Sequence, residues 1–171
     1  MACGTGLHLS LLQKFYDVEG LDLEVKMLKA ARKRCPDVVF HHGDMVNFKL
    51  DRQYDAIACL FSSIGYVKTV GNLRKTVKNF ARHLNLGGVA IIEPWFTPEA
   101  WHPGSVHATF VDQPELKIAR INISERKRRL AVMKMHHLVG TPQGVTYFAE
   151  LHEMGLFTHE EYLGAFRRCG L

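Results

Sequence analysis

Apolar residues recur along this chain in two rhythms, and the change between them falls at Pro94. Ahead of it, short apolar runs alternate with stripes at helical spacing. Leu7, Leu11, Leu12 and Phe15 form the first stripe over 7–15. Met27, Leu28 and Ala31 form the second, in a helix expected over 24–34 and stopped by Pro36. Leu73, Val77, Phe80, Ala81 and Leu84 trace a third. Strand-like segments lie between them: 18–22, Val38-Val39-Phe40, 54–60 with Ala56, Ile57 and Ala58 at its centre, and 89–93 after a Gly87-Gly88 break. Strands alternating with helices of this length predict crossover units, a parallel sheet and an α/β, doubly wound fold.

After Pro94 the helical spacing disappears. Pro94, Pro98 and Pro103 mark an irregular loop. Four strand-like segments follow, at 106–111, 117–124, 130–139 and 145–152, separated by Gln113-Pro114, by the run Arg126-Lys127-Arg128-Arg129 and by Thr141-Pro142-Gln143-Gly144. They predict an antiparallel β meander inserted at about 104–152 into a single domain spanning 1–171. Thr158 and Glu161 have the spacing of a capping box, with Phe157 and Tyr162 placed as a hydrophobic staple. A last helix should start there and close at Gly170.

Composition removes several function classes. At 47% hydrophobic and 23% charged residues, the 171-residue chain is ordinary for a globular domain with its own core. No apolar run approaches the ~20 residues of a membrane helix. The start lacks a basic-then-apolar leader, so a cytoplasmic location is expected. Cys3, Cys35, Cys59 and Cys169 form no C-x-x-C motif and are expected as thiols. The net charge of +5 could suit an anionic partner, but no nucleic-acid motif accompanies the 126–129 run, which reads as a solvated turn. His41-His42 and His136-His137 are adjacent pairs. On strands their rings point to opposite faces, so no metal site is expected.

The candidate chemistry lies in four segments, the first at the start of the chain and the others following or ending a predicted strand. Ala2-Cys3-Gly4-Thr5-Gly6 precedes a helix, and its glycines allow a tight turn and close approach of backbone to a ligand. A dinucleotide site would place a third glycine where Leu9 stands. Asp22, ending the strand at 18–22, can accept both hydroxyls of a ribose, or cap the following helix. Asp44 can bond an adenine amino group while Met45 packs on the ring, or serve its loop. Cys59-Leu60-Phe61-Ser62-Ser63-Ile64-Gly65-Tyr66 leaves the strand at 54–60. In doubly wound sheets all four fall on one edge, where a nucleoside would lie. Leu23, Met27, Leu60, Phe61 and Ser62 join Ala2 to Gly6, Asp22, Asp44 and Met45 as expected cofactor contacts.

These segments, with Ala31-Arg32-Lys33-Arg34, Gly87-Gly88-Val89 and Glu93-Pro94-Trp95, resemble the class I, Rossmann-like, S-adenosylmethionine-dependent methyltransferases. More narrowly, they resemble the N,N-dimethyltransferases that act on TDP-linked 3-amino sugars in macrolide biosynthesis. The resemblance implies S-adenosylmethionine across the glycine loop, with Asp22 on its ribose and Asp44 and Met45 flanking its adenine. It implies that Tyr66 lies near the amine to be methylated, and that the meander covers the site or joins two copies in a homodimer. Tyr66 is then a positioning group or proton relay, although an ordinary packed aromatic fits it as well. Glu93, Trp95 and Phe96 are assigned to the substrate side, the aromatics being equally consistent with core packing.

The expected function is transfer of a methyl group to a small-molecule amine, such as a nucleotide-linked amino sugar. The alternative is a non-catalytic subunit or fragment that binds S-adenosylmethionine; a nicotinamide-dependent oxidoreductase is weaker, because of Leu9. In the family resembled, an apolar strand leads into the glycine loop and further strands follow the last helix. Here Met1 directly precedes Ala2 and the chain stops at Leu171. A sheet truncated at both ends, weakly stable alone or completed by another chain, is therefore expected.

Overall fold

The computed structural model describes residues 1–171. The alternating part runs α1 (Leu7–Leu12), β1 (Glu19–Asp22), α2 (Val25–Arg34), β2 (Val39–His42), β3 (Tyr54–Cys59), a 3-10 turn at Ser63–Val67, α3 (Val70–Arg82) and β4 (Leu84–Ile92). The meander is β5 (Val106–Gln113), β6 (Leu116–Lys127), β7 (Leu130–Thr141) and β8 (Gly144–Gly155), followed by α4 (His159–Arg167).

The first four strands are parallel, as the crossover pattern predicts, but they pair as β1–β2 and β3–β4 rather than in one continuous ladder. The two pairs are bridged instead of paired. At one end the Met1 amine donates to the Ala58 carbonyl at 2.7 Å, and the Cys3 N–H donates to the Leu21 carbonyl at 3.0 Å. At the other end Glu19 of β1 accepts a hydrogen bond from the Tyr54 hydroxyl at 2.7 Å, contacts His41 Nε2 at 2.7 Å and pairs with the Arg52 guanidinium. Burial alone would raise the Glu19 carboxyl. The bonds from Tyr54 and His41 and the charge of Arg52 outweigh it and hold the group below its ordinary value.

Each helix follows its stripe with small corrections. In α3, Leu73, Thr76, Val77 and Phe80 are buried against the sheet, and the Thr69 hydroxyl caps the start by accepting from the Asn72 N–H at 3.1 Å. Burial of each large apolar side chain stabilises by about 1.5–3 kcal/mol. The helix ends at Arg82, and Leu84 belongs to β4 instead. Gly87-Gly88 does not break that strand: Gly87 has φ 80°, and the β3–β4 register shifts between Tyr54 and Ala56, so the glycines form a bulge. Helix α1 is shorter than its stripe, closing after Leu12.

The meander strands outrun their predicted bounds, and their alternation sorts two faces. Ala131, Met133 and Met154 point inward, into a cluster with Trp101 and Leu156. The outer face carries Phe110, Ile121, Ile123, Leu138, Tyr147 and Leu151, all exposed. The basic run forms the β6–β7 turn, with Arg128 at φ 57°. It is more than solvated: Arg126 donates to the Pro98 carbonyl at 2.9 Å and Arg129 to the Leu156 carbonyl at 3.1 Å. The capping box forms as predicted, Thr158 Oγ1 accepting from the Glu161 N–H and the Glu161 carboxylate accepting from the Thr158 N–H. The Phe157 and Tyr162 rings meet edge to face at 5.7 Å and join the main core with Ala165.

Candidate functional site

The glycine loop is a chain of left-handed residues: Ala2, Gly4 and Gly6 have φ of 49°, 55° and 76°. A side chain at Gly6 would press on Ala31 of α2, whereas nothing lies within 4 Å of where one would stand at Gly4. Gly6 is thus a packing glycine and Gly4 an open one, leaving bare backbone for a ligand.

Asp22 organises this loop. Its Oδ2 accepts from the Gly4 N–H at 2.7 Å and its Oδ1 from the Glu24 N–H at 2.9 Å. The residue is only 8% exposed. Asp22 therefore serves as loop clamp and helix-start acceptor, with one lone pair on each oxygen still free. Asp44 similarly serves its own turn, Oδ1 accepting from the Val46 N–H at 2.9 Å, while Met45 packs against the main core. Leu23 and Met27 stand exposed beside Asp22.

The segment after β3 is strained. Phe61 and Ser62 both have positive φ, 53° and 57°, which non-glycine residues adopt only when held. Here they are held: the Phe61 N–H donates to Glu93 Oε2 at 2.6 Å and Ser62 Oγ donates to the Pro94 carbonyl at 2.9 Å. Glu93, assigned to the substrate side from sequence, thus anchors this loop. The strain presents the Phe61 ring outward, 79% exposed. Leu60 precedes it, half-buried.

Trp95 and Phe96 join a third ring, Trp101, which sequence reasoning missed. Trp95 meets Phe96 edge-on at 4.9 Å, and both lie 5.7 Å from Trp101. The Trp101 indole donates to the Glu125 carbonyl at 3.3 Å, whereas the buried Trp95 Nε1 has no partner.

Tyr66 ends up against the meander. Its hydroxyl lies 2.7 Å from Nδ1 of His152 on β8. Burial, then the Glu150 carboxylate, push the phenol above its ordinary value. Gly65 permits this approach, because a Cβ there would lie 2.8 Å from the Met154 methyl and 3.4 Å from Trp95. Lys68 adds an ion pair to Glu153 at 2.8 Å. His152 was not singled out from sequence. Its only signal was a polar residue at an inward position of an alternating strand.

The four histidines of the adjacent pairs make separate contacts. His41 binds Glu19 and His42 lies 3.0 Å from the Leu23 carbonyl, while His136 bonds Tyr147 and His137 stacks on Phe148. Cys3 and Cys59 are pushed up to about 11, chiefly by burial, so both remain thiols. The edge as a whole combines open backbone at Gly4, exposed apolar Leu23, Met27 and Phe61, and the carboxylates of Asp22, Asp44 and Glu93. That set fits a nucleoside with ribose hydroxyls and a cationic centre better than a pyrophosphate.

Comparison with known proteins agrees. The methyltransferase domain family matches residues 1–88. A dTDP-3-amino-3,6-dideoxy-α-D-glucopyranose N,N-dimethyltransferase from Streptomyces fradiae is 42% identical over 100% of this chain and 68% of its own length. The corresponding trideoxy-sugar enzyme of Streptomyces venezuelae is 43% identical over 100% and 73%. Among solved structures, DesVI of Streptomyces venezuelae superposes with a TM-score of 0.95 at 42% identity, covering 99% of this chain and 73% of that one. A SAM-bound amino pentose methyltransferase from Micromonospora echinaspora gives 0.90 at 38%, covering 99% and 72%.

Proposed function

The chain belongs to the S-adenosylmethionine-dependent methyltransferases, and on that premise we propose that it methylates the amine of a nucleotide-linked amino sugar. The observation that carries this is Tyr66, a hydrogen-bonding hydroxyl held at the site edge between the strained Phe61-Ser62 turn and the meander. Support for the acceptor class comes from relatives named as dTDP-amino-sugar N,N-dimethyltransferases.

S-adenosylmethionine supplies a methyl group on a sulfonium, open to in-line displacement by an amine lone pair. This chain contributes orientation, worth about 7–11 kcal/mol at best. In our assignment Ala2 to Gly6 cradle the cofactor, and Asp22 receives the ribose hydroxyls on its free lone pairs. Asp44 and Met45 flank the adenine, with Leu23, Met27, Leu60, Phe61 and Ser62 completing the contacts. Tyr66 positions the amine, Trp95 and Phe96 wall the substrate side, and Glu93 acts through the Phe61 amide. We further assign a homodimer contact to the outer face of the meander, where Phe110, Ile121, Leu138 and Leu151 are exposed. Sedimentation showing a monomer at all concentrations would remove that contact.

The function is tested by methyl transfer to a panel of nucleotide amino sugars, other amines and hydroxyl acceptors, read by mass. Transfer to the amino sugars is expected. Transfer only to hydroxyls would overturn N-methylation, and S-adenosylhomocysteine binding without any transfer would favour a non-catalytic subunit.

A further inference from the structure

Tyr66 alone makes a poor base, since a phenol titrates near ~10 and burial pushes this one higher. Yet the amine of an amino sugar arrives largely as an ammonium at neutral pH, and a protonated amine has no lone pair to attack with. Something must take the proton. We propose that His152 is that acceptor: Tyr66 takes a proton from the substrate ammonium while handing its own to His152 Nδ1. This rests on the amine lying at Tyr66, as assigned above.

The surroundings of the imidazole fix its direction. His152 Nε2 is buried without a hydrogen bond, and the Glu150 carboxylate lies 3.8 Å from it. His137 Nε2, likewise buried and unpaired, lies 3.4 Å from the same oxygen. A ring nitrogen facing a carboxylate keeps its hydrogen, so Nε2 carries the proton and Nδ1 the lone pair. The Tyr66 hydroxyl, 2.7 Å away, is then the donor. Glu153, the next residue on β8, lies on the opposite face and pairs with Lys68 of the Tyr66 turn. On β7, His152 is opposite Met133, which adds no charge.

The transfer balances. The ammonium N–H breaks as a new O–H forms on Tyr66; the former Tyr66 O–H breaks as Nδ1–H forms. One positive charge moves from the amine to an imidazole beside Glu150, with no oxidant or reductant involved. The proton returns to solvent after the product leaves, which resets the pair for the next turnover. Each methylation leaves an ammonium that must be deprotonated before a further methyl can be added, so the relay would operate again on a monomethyl product.

The placement also explains the meander as more than a cover. Period-two alternation sets Glu150, His152 and Met154 on one face. Gly65 then lets the Tyr66 turn approach Met154 on that face.

The test uses the full chain and two variants. His152→Gln keeps a side-chain oxygen that can accept from the phenol but has no basic nitrogen, so a purely structural role would survive it. Its kcat/KM toward the amine is expected to fall by about 100-fold near neutral pH. The deficit should close as pH rises toward the amine's own pKa, with S-adenosylhomocysteine affinity unchanged. Tyr66→Phe should show the same profile, and the double variant should lose no more than either single one. Nitrogen NMR of the resting protein should find His152 protonated at Nε2 and not at Nδ1. A loss equal at all pH values, an unchanged profile, or an Nδ1–H tautomer would overturn the relay while leaving the methyltransferase reading intact. A wild-type chain that binds S-adenosylhomocysteine but methylates no amine would overturn both.

Discussion

The two halves of this molecule are built by opposite means. The α/β half makes its site from short strands and backbone exceptions: four-residue β1 and β2, left-handed Ala2, Gly4 and Gly6, and the strained Phe61-Ser62 pair. The meander has three twelve-residue strands in regular register and contributes side chains, not backbone. A cofactor can be held by backbone geometry, which needs particular residues at particular spacings. In our assignment the acceptor is met by side chains on a regular frame, where many residues fit the same backbone. The two halves should therefore respond differently to mutation.

The largest effect should come where they touch. At Gly155 a Cβ would stand 2.4 Å from the Phe157 ring and 2.8 Å from the Lys68 carbonyl oxygen, which is backbone and cannot yield cheaply. Gly155→Ala should cost about 2–3 kcal/mol in chemical denaturation and lower activity by displacing the Tyr66 turn. Stability within a few tenths of wild type would mean that the two halves are only loosely joined.

Asp22→Ala comes next and acts on the α/β half alone. It removes the acceptor of the Gly4 and Glu24 N–H groups together with the assigned ribose contact. We expect S-adenosylhomocysteine affinity to fall 10- to 100-fold by calorimetry, about 1.4–2.7 kcal/mol. Relaxation of a preformed amine-binding geometry should be smaller, so KM for the acceptor should change less than KM for the methyl donor.

Glu19 joins the two strand pairs, and its folded carboxyl is held below the ordinary value. A depressed carboxyl contributes stability that is present above its unfolded pKa and lost as pH falls through the folded one. Glu19→Gln should therefore destabilise by about 1–2 kcal/mol at neutral pH and less in acid. Thermal melts that show the same deficit at pH 7 and in acid would contradict this. Thr158→Ala, which removes the α4 cap, should cost about 1 kcal/mol with turnover per folded molecule unchanged.

The same contrast explains what could be read from sequence. Glycines 4 and 6, Asp22 and the capping box at Thr158 are legible because each answers a local demand: a left-handed φ, a strand end, a free N–H. The Phe157–Tyr162 staple was legible for the same reason. His152 and Trp101 were not, because their roles depend on cross-strand register and on which face packs inward, and alternation alone leaves both open. Glu93 was noticed, but its bond to the Phe61 amide crosses from β4 to β3 and has no local signature. The bulge at Gly87-Gly88 was mistaken for a break, since glycine marks both.

Met1–Cys3 bridges the two strand pairs. Asp22 and the glycine loop sit with one pair, Phe61 and Ser62 with the other. A ligand that grips both becomes a clasp across the seam, and its binding energy becomes folding energy. At a hundredfold excess over Kd this linkage supplies about 2.7 kcal/mol, comparable to a buried side chain. Hydrogen exchange at β1 and β3 should slow together when the clasp closes, which makes ligand supply a determinant of how long the fold lasts.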